Sequence, residues 1–172
     1  MKSSSAKLSL LGVLTALSLA LSVMETMILP FSLIPIPGFR IGFANIVILV
    51  SVYLLGALPS VAIILVRTAA VFAFGGNLTA FLFSLTGGLC AVSVMLILRN
   101  TGRFSFFGLS AGGAAAHAVG QIGAAMIMTG TWEIIGYLPL LVWISIVAGL
   151  LTATLAVPVF KAAVAASRSP RI

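Results

Sequence analysis

Six apolar runs follow one another along the chain, separated by short segments rich in glycine, proline or charge. Most of these runs are long enough to form α-helices that cross a hydrocarbon layer about 30 Å thick. The breaks coincide with residues that helices avoid, namely the three prolines within 30–39, the pair Gly56 and Pro59, and the segment 75–77. The pattern therefore predicts six transmembrane helices, at about residues 8–29, 40–56, 60–74, 78–98, 106–129 and 137–160.

The composition places these helices in a membrane. Of the 172 residues, 62% are hydrophobic and only 6% are charged, so a soluble protein of this kind would have too few groups for water to solvate. The fold class predicted is an all-α integral membrane protein, with a single transmembrane domain over residues 1–172. A formal charge of +7 would suggest nucleic acid in a soluble protein, but here lipid headgroups and topology explain it. We therefore expect the lipid bilayer, and no nucleic acid, among the partners.

The basic residues predict the orientation in the membrane. Six spans place both termini on one side, together with Lys2, Lys7, Arg99, Arg103, Lys161, Arg168 and Arg171. The other side carries only Arg40, partly balanced by Glu133. Because cytoplasmic loops of membrane proteins carry an excess of lysine and arginine, both termini are predicted to be cytoplasmic.

The first helix has two opposed faces. At 100° per residue, a stripe of small residues recurs every fourth position: Gly12, Ala16 and Ala20. A polar stripe lies about 180° away by the same geometry and contains Ser18, Ser22 and Glu25. A carboxylate that faces lipid is costly, so the polar stripe should face the bundle interior and the small stripe should face outward. The outward stripe favours close docking of a partner helix, with ordinary packing inside the bundle as the alternative.

Further polar residues interrupt the apolar runs: Asn45, Arg67, His117 and Gln121. Each needs a partner within the bundle, because lipid offers no hydrogen bonds. Together with Glu25 and Arg40 they predict a polar chamber that binds a substrate. Two alternatives stay open at this point. Arg67 and Glu25 could form an ion pair that only joins helices, and His117 could be an ordinary hydrogen-bonded core residue.

Several kinds of chemistry lack the residues they need. The only acids are Glu25 and Glu133, and the chain has no aspartate, which excludes Asp-rich sites for Mg²⁺ and diphosphate. No segment matches G-x-x-x-x-G-K-[ST], the loop of nucleotide-hydrolysing proteins. The single histidine has no cysteine or acid at ligand spacing. We therefore expect no catalytic residues, no cofactor and no metal site, and the protein is not expected to be an enzyme.

Specific motifs occur over most of the chain: R-I-G-F-A-N-I-V at 40–47, Arg67, S-L-T-G-G-L-C-A-V-S-V-M at 84–95, G-A-A-A-H-A-V-G-Q at 113–121 and Y-L-P-L-L at 137–141. In these motifs the chain resembles a family of small bacterial membrane proteins labelled Gx transporter or heptaprenyl diphosphate synthase component I. That family is similar in turn to the substrate-binding S-components of energy-coupling-factor vitamin transporters. The family pattern places an asparagine after the histidine, where this chain has Ala118.

The resemblance implies an S-component-like bundle of six helices in the bacterial cytoplasmic membrane that binds a small water-soluble molecule near its external face. It also implies that Ala16 and Ala20 dock on a membrane coupling subunit driven by two ATPases. The positive side chains favour an anionic or zwitterionic substrate. A second hypothesis is a non-catalytic membrane subunit in polyprenyl diphosphate or quinone synthesis. A third, a structural membrane protein, leaves Arg67 and His117 without a role.

Overall fold

The computed structural model describes residues 4–28, 42–74 and 77–168, and every regular element in these ranges is a helix. The elements in chain order are α1 (Ser4–Ile28), α2 (Asn45–Leu54), α3 (Ala57–Ala73), α4 (Leu78–Thr101), α5 (Phe106–Thr129), a short 3-10 helix (Trp132–Tyr137) and α6 (Leu138–Arg168). Three segments are long and apolar enough to cross a membrane: Ser5–Glu25, Leu78–Thr101 and Trp132–Ala165. The predicted all-α membrane fold is confirmed, whereas the crossing of the bilayer by all six helices stays a prediction.

Local capping explains the boundaries of α4 and α5. The side-chain oxygens of Asn77 and Ser105 accept hydrogen bonds from backbone N–H groups in the first turns, at 2.6 and 3.2 Å. Gly102 and Gly130 then end the two helices in the left-handed conformation, each with φ of 66°. Because these signals are local, the predicted range of α5 matches the structure, and α4 differs only by continuing from residue 98 to Thr101.

The start of α2 was predicted wrongly, because the helix begins at Asn45 and not near residue 40. Gly42 has φ of +84°, a left-handed conformation that is incompatible with a helix. The backbone N–H of Gly42 also donates a 2.6 Å hydrogen bond to Oε1 of Glu25 at the end of α1. Asn45 is consequently the first residue of α2, and does not lie one and a half turns inside it.

The last helix is longer than its apolar run. The segment expected to be a loop before it contains the 3-10 helix, and α6 continues eight residues past the predicted end at residue 160 to Arg168. Half of the added residues are alanine and a basic residue stands at each end, and both residue types have high helix propensity. The helix therefore ends well beyond the apolar part of its sequence.

Contacts between helix ends define the two ends of the bundle. Arg99, near the end of α4, donates hydrogen bonds to the carbonyl oxygens of Val52 and Tyr53 at the end of α2, at 2.7 and 3.3 Å. The Tyr53 ring in turn packs on Phe106 and Phe160, with centroids 5.2 and 5.9 Å away. The C-terminal ends of α2 and α4 therefore lie beside the start of α5 and the late part of α6.

This end of the bundle, which we call the basic end, contains most of the cations whose side chains are described: Lys7, Arg99, Arg103 and Lys161. The opposite end joins the C-terminal end of α1 to the start of α2 through Glu25 and Gly42, and the segment before α6 adds Glu133. Lys2, Arg40 and Arg171 lie outside the described residues. The charge distribution favours a cytoplasmic basic end.

Glycines allow α4, α5 and α6 to approach closely. A β-carbon at Gly120 of α5 would lie only 2.8 Å from the Thr86 carbonyl oxygen and 2.9 Å from the Gly87 Cα on α4. A β-carbon at Gly149 of α6 would lie 2.9 Å from the Ser110 carbonyl oxygen on α5. The Ser110 hydroxyl also donates to the Gly149 carbonyl oxygen at 2.7 Å. These three helices are therefore packed backbone against backbone, as small residues permit.

The first testable prediction concerns orientation. In a Cys90→Ala background, Thr131→Cys should react with a membrane-impermeant maleimide in intact cells, because residue 131 is exposed at the end opposite the basic end. Asn100→Cys, exposed at the basic end, should react only after the cells are permeabilised. The reverse labelling pattern would show that the basic end is external.

Candidate functional site

Most buried hydroxyl groups have structural partners. The side chains of Thr68 and Thr152 donate to carbonyl oxygens four residues earlier in their own helices, at 2.8 and 2.7 Å. Ser51 and Ser60 hydrogen-bond to each other at 2.9 Å and join α2 to α3. These groups satisfy the need for hydrogen bonds inside lipid and require no ligand to explain them.

The buried charged, amide and imidazole side chains form a different set, which we call the polar set: Glu25, Asn45, Arg67, His117 and Gln121. Each was predicted as a substrate-binding residue, and each is no more than 7% exposed. They come from α1, α2, α3 and α5. The sixth predicted residue, Arg40, lies outside the described residues.

Glu25 and Asn45 both contact the Gly42 turn. The Glu25 carboxylate accepts the Gly42 N–H at 2.6 Å. A β-carbon at Gly42 would lie 2.7 Å from the Asn45 Nδ2, so the amide folds back over the space that glycine leaves. One glycine therefore brings together an acid from α1 and an amide from α2.

Arg67 meets α4 from the side of α3. Its Nη2 donates to the Ser84 Oγ at 3.3 Å, and a β-carbon at Gly88 would lie 3.5 Å from the same Nη2. Arg67 as a whole is 3% exposed, so the protein holds a permanent cation within its interior. Ser84 and Gly88 therefore form part of the surroundings of this cation.

His117 meets α4 from the side of α5. A β-carbon at Gly87 would lie 2.8 Å from both Cε1 and Nε2 of His117, so the imidazole fills the space beside this glycine. Gln121 lies one helical turn further along α5 and is also buried. His117 thus packs against Gly87, and Arg67 lies beside the adjacent residue Gly88, on a different side of α4.

The polar set lies in the half of the bundle away from the basic end. At 1.5 Å per residue, Arg67 and Ser84 each lie about 9 Å along their helices from this opposite end. By the same measure Gln121 lies about 12 Å and His117 about 18 Å from it. Glu25 and Asn45 are at the end itself. The set therefore extends from one end of the bundle to about its middle.

The two faces of α1 differ in exposure. Ser18, Ser22 and Glu25 are at most 4% exposed. The small residues of the opposite stripe are exposed: Gly12, Ala16 and Ala20. Nothing described lies within 4 Å of a β-carbon placed at Gly12. The small stripe is thus available to lipid or to a partner helix, and ordinary packing inside this bundle does not account for it.

Metal binding has no support in the described part of the chain, where no group of three or more His, Cys, Asp or Glu side chains could hold an ion. The expectation that no cofactor is bound stays a prediction.

Comparison with known proteins identifies the family. The sequence model of a protein family described as heptaprenyl diphosphate synthase component I matches residues 14–159. The chain belongs to this family. The match spans all six helices and includes every described member of the polar set. No curated protein and no solved structure was found to match the chain.

Some contacts of the site in this heptaprenyl diphosphate synthase component I family member were missed by sequence reasoning. The partners Gly42, Ser84, Gly87 and Gly88 were not predicted as part of the site. The adjacent pair Gly87 and Gly88 was the available signal, because two successive glycines in a helix free two sides of it for close approach. Nothing in the sequence indicated that Glu25 would bond to the backbone of Gly42.

The second prediction tests how His117 is held. Gly87→Ala should destabilise the purified protein by about 1–3 kcal/mol, because the new methyl group overlaps the imidazole. In a His117→Ala background, Gly87→Ala should lower the free energy of unfolding only slightly, since the imidazole that overlaps the new methyl group is absent. Thermal unfolding of the four proteins in detergent measures this coupling.

The control is Gly123→Ala in α5, the helix that carries His117. A β-carbon at Gly123 would have nothing within 4 Å. That substitution should be neutral or slightly stabilising, as expected for alanine in place of helical glycine. Equal costs of Gly87→Ala in the two backgrounds would contradict the described position of the imidazole.

Proposed function

We propose that this protein is a membrane-embedded substrate-binding subunit that captures a small water-soluble molecule, with energy supplied by separate ATPase and coupling subunits. The observation that carries the proposal is the polar set itself. Five costly side chains from four helices are buried in a bundle that is otherwise apolar. A protein that only needed to fold in lipid would be served as well by apolar residues at these positions.

The position of the set supports capture from outside the cell. With the basic end in the cytoplasm, Glu25 and Asn45 lie at the external surface, and Arg67 lies about 9 Å below it. A water-soluble molecule would then enter from the external side of the bacterial cytoplasmic membrane. Both termini of this multi-pass protein would be cytoplasmic.

The chemistry of the deeper residues favours an anionic or zwitterionic substrate. Arg67 is always protonated, and one of its contacts is a hydrogen bond to the hydroxyl of Ser84. A carboxylate or phosphate near the guanidinium would gain a charge-assisted hydrogen bond in an environment with little water. His117 and Gln121 add groups that can donate or accept hydrogen bonds.

The exposed small stripe on α1 supports a membrane partner. Ala16 and Ala20 let a second helix approach closely, and such packing is a main source of helix association in lipid. We infer that the coupling subunit docks there.

The family description favours a second candidate function. The protein could be a non-catalytic membrane subunit that works beside a polyprenyl diphosphate synthase. A catalytic role in that reaction is disfavoured, because the chain has no aspartate and diphosphate chemistry normally uses carboxylate-bound Mg²⁺.

The third prediction separates the two functions by co-purification from the native membrane. A substrate-binding subunit should retain a membrane coupling subunit with ATPases, whereas a synthase subunit should retain a soluble prenyl synthase. Ala16→Leu and Ala20→Leu should each abolish recovery of the coupling subunit by holding its helix away. Ala69→Leu, the same change at an exposed position of α3, is the matched control. Unchanged recovery in both α1 variants would exclude docking on the small stripe.

The fourth prediction concerns Arg67. Small molecules released from the purified protein are identified and quantified by mass spectrometry, and their affinity is measured. Arg67→Ala should weaken binding by one to two orders of magnitude, because a charge-assisted contact contributes about 1.5–3 kcal/mol. Arg67→Lys should restore little if the contact is bidentate.

A double variant tests the alternative that Arg67 neutralises Glu25 and does not bind a ligand. If Arg67 only neutralises Glu25, the combined changes Arg67→Leu and Glu25→Gln, the second of which keeps an oxygen for the Gly42 N–H, should leave expression, stability and binding at the level of the unmodified protein. Thr152→Val serves as the control for loss of a buried polar group, because its hydroxyl bonds only to its own helix.

A further inference from the structure

Asn45 contains a buried acceptor whose need for a hydrogen bond is not met. Its side chain is 5% exposed, and within the described residues its Oδ1 has no hydrogen-bond partner. A buried acceptor left in this state costs free energy unless another molecule supplies a donor. The Ser18 Oγ, on the buried polar face of α1, shares this condition.

The turn before α2 fixes the direction of the Asn45 amide. Of the amide atoms, Nδ2 lies nearest the space above Gly42, at 2.7 Å from a β-carbon placed there. The oxygen therefore points away from Gly42. Gly42 is itself held by the Glu25 carboxylate through its N–H. The turn against which the amide lies is consequently held by a contact from α1, which is the kind of preorganisation that a binding group needs.

Backbone N–H groups at this helix start are already used within the turn. Those of Asn45, Ile46 and Val47 donate to the carbonyl oxygens of residues 42, 43 and 44, at 2.8, 3.1 and 3.1 Å. The buried group here whose hydrogen bond is unmet is thus the Asn45 Oδ1, which is an acceptor. An unmet acceptor selects a ligand that brings an N–H group.

We propose that Asn45 determines specificity by accepting a hydrogen bond from an N–H group of the ligand, either an ammonium or an amide, and that Glu25 is a positioning residue that holds the Gly42 turn beneath it. This inference rests on the proposed function and narrows its substrate class. The N–H group would lie at the mouth of the site, while an anionic group would lie deeper near Arg67.

Two matched pairs of small probes test the proposal. Methylammonium carries N–H donors, and tetramethylammonium carries the same charge without them; acetamide and N,N-dimethylacetamide form the neutral pair. The apparent unfolding temperature of the protein in lipid nanodiscs is measured with each probe at equal concentration. At least one N–H probe, in excess over its Kd, should raise this temperature by about 2–4 °C, and its donor-free analogue should not.

The variant Asn45→Leu should lose this shift while folding normally, because it replaces an unsatisfied acceptor with an apolar group of similar size. Ser51→Ala is the control on the same helix, since its hydroxyl pairs with Ser60 and should not affect the probes. A shift with methylammonium alone assigns an amine, and a shift with acetamide alone assigns an amide. Glu25→Gln should keep an oxygen that can accept the Gly42 N–H and should preserve the acetamide shift.

Equal shifts with the donor-free probes, no shift with either donor, or a shift that survives in Asn45→Leu would each overturn the proposal. The outcome is separable from that of the transport role. Loss of the shift in Asn45→Leu without any co-purifying coupling subunit would keep the binding site and reject the transport function. If a coupling subunit co-purifies and the shift is unchanged in Asn45→Leu, the transport function is kept and the proposed role of Asn45 is rejected.

Discussion

The close contact between α4 and α5 at Gly87 and Gly120 is the constraint on which the interior of the bundle depends. A β-carbon at Gly120 would almost touch the backbone of α4, so the two helices could not stay this close with a larger residue there. The contact places His117 against Gly87, and Arg67 reaches the neighbouring positions Ser84 and Gly88 from α3. The glycine-mediated approach therefore determines where His117 lies, and α4 is the helix against which both side chains pack.

Glu25 contributes to the same interior in a different way. It was predicted as a substrate ligand because a carboxylate that faces lipid is costly, and its Oε1 accepts a hydrogen bond from the Gly42 N–H in the turn before α2. Such a bond satisfies a donor that a left-handed glycine would otherwise present to an apolar environment. The acid thus joins α1 to α2 and fixes the start of the helix that carries Asn45.

Much of the helical pattern and of the burial could be predicted from the sequence, because both depend on local signals and on the cost of polar groups in lipid. The ends of α5 follow from Ser105 and Gly130, and the interior position of Arg67 follows from its charge. The start of α2 could not be predicted, because it depends on a bond to a residue 17 positions earlier. The pairing of His117 with Gly87 likewise depends on tertiary approach.

The energetics of packing do not by themselves explain why the polar set is buried. Buried charged and amide groups add little net stability even when paired, and well-packed apolar residues of similar size are often as stable or more so. The glycine contacts of α4, α5 and α6 already supply close packing, and among the described residues α6 contributes no charged, amide or imidazole group to the interior. Asn45, whose Oδ1 has no hydrogen-bond partner among the described residues, is therefore a burial that the stability of the bundle alone does not explain.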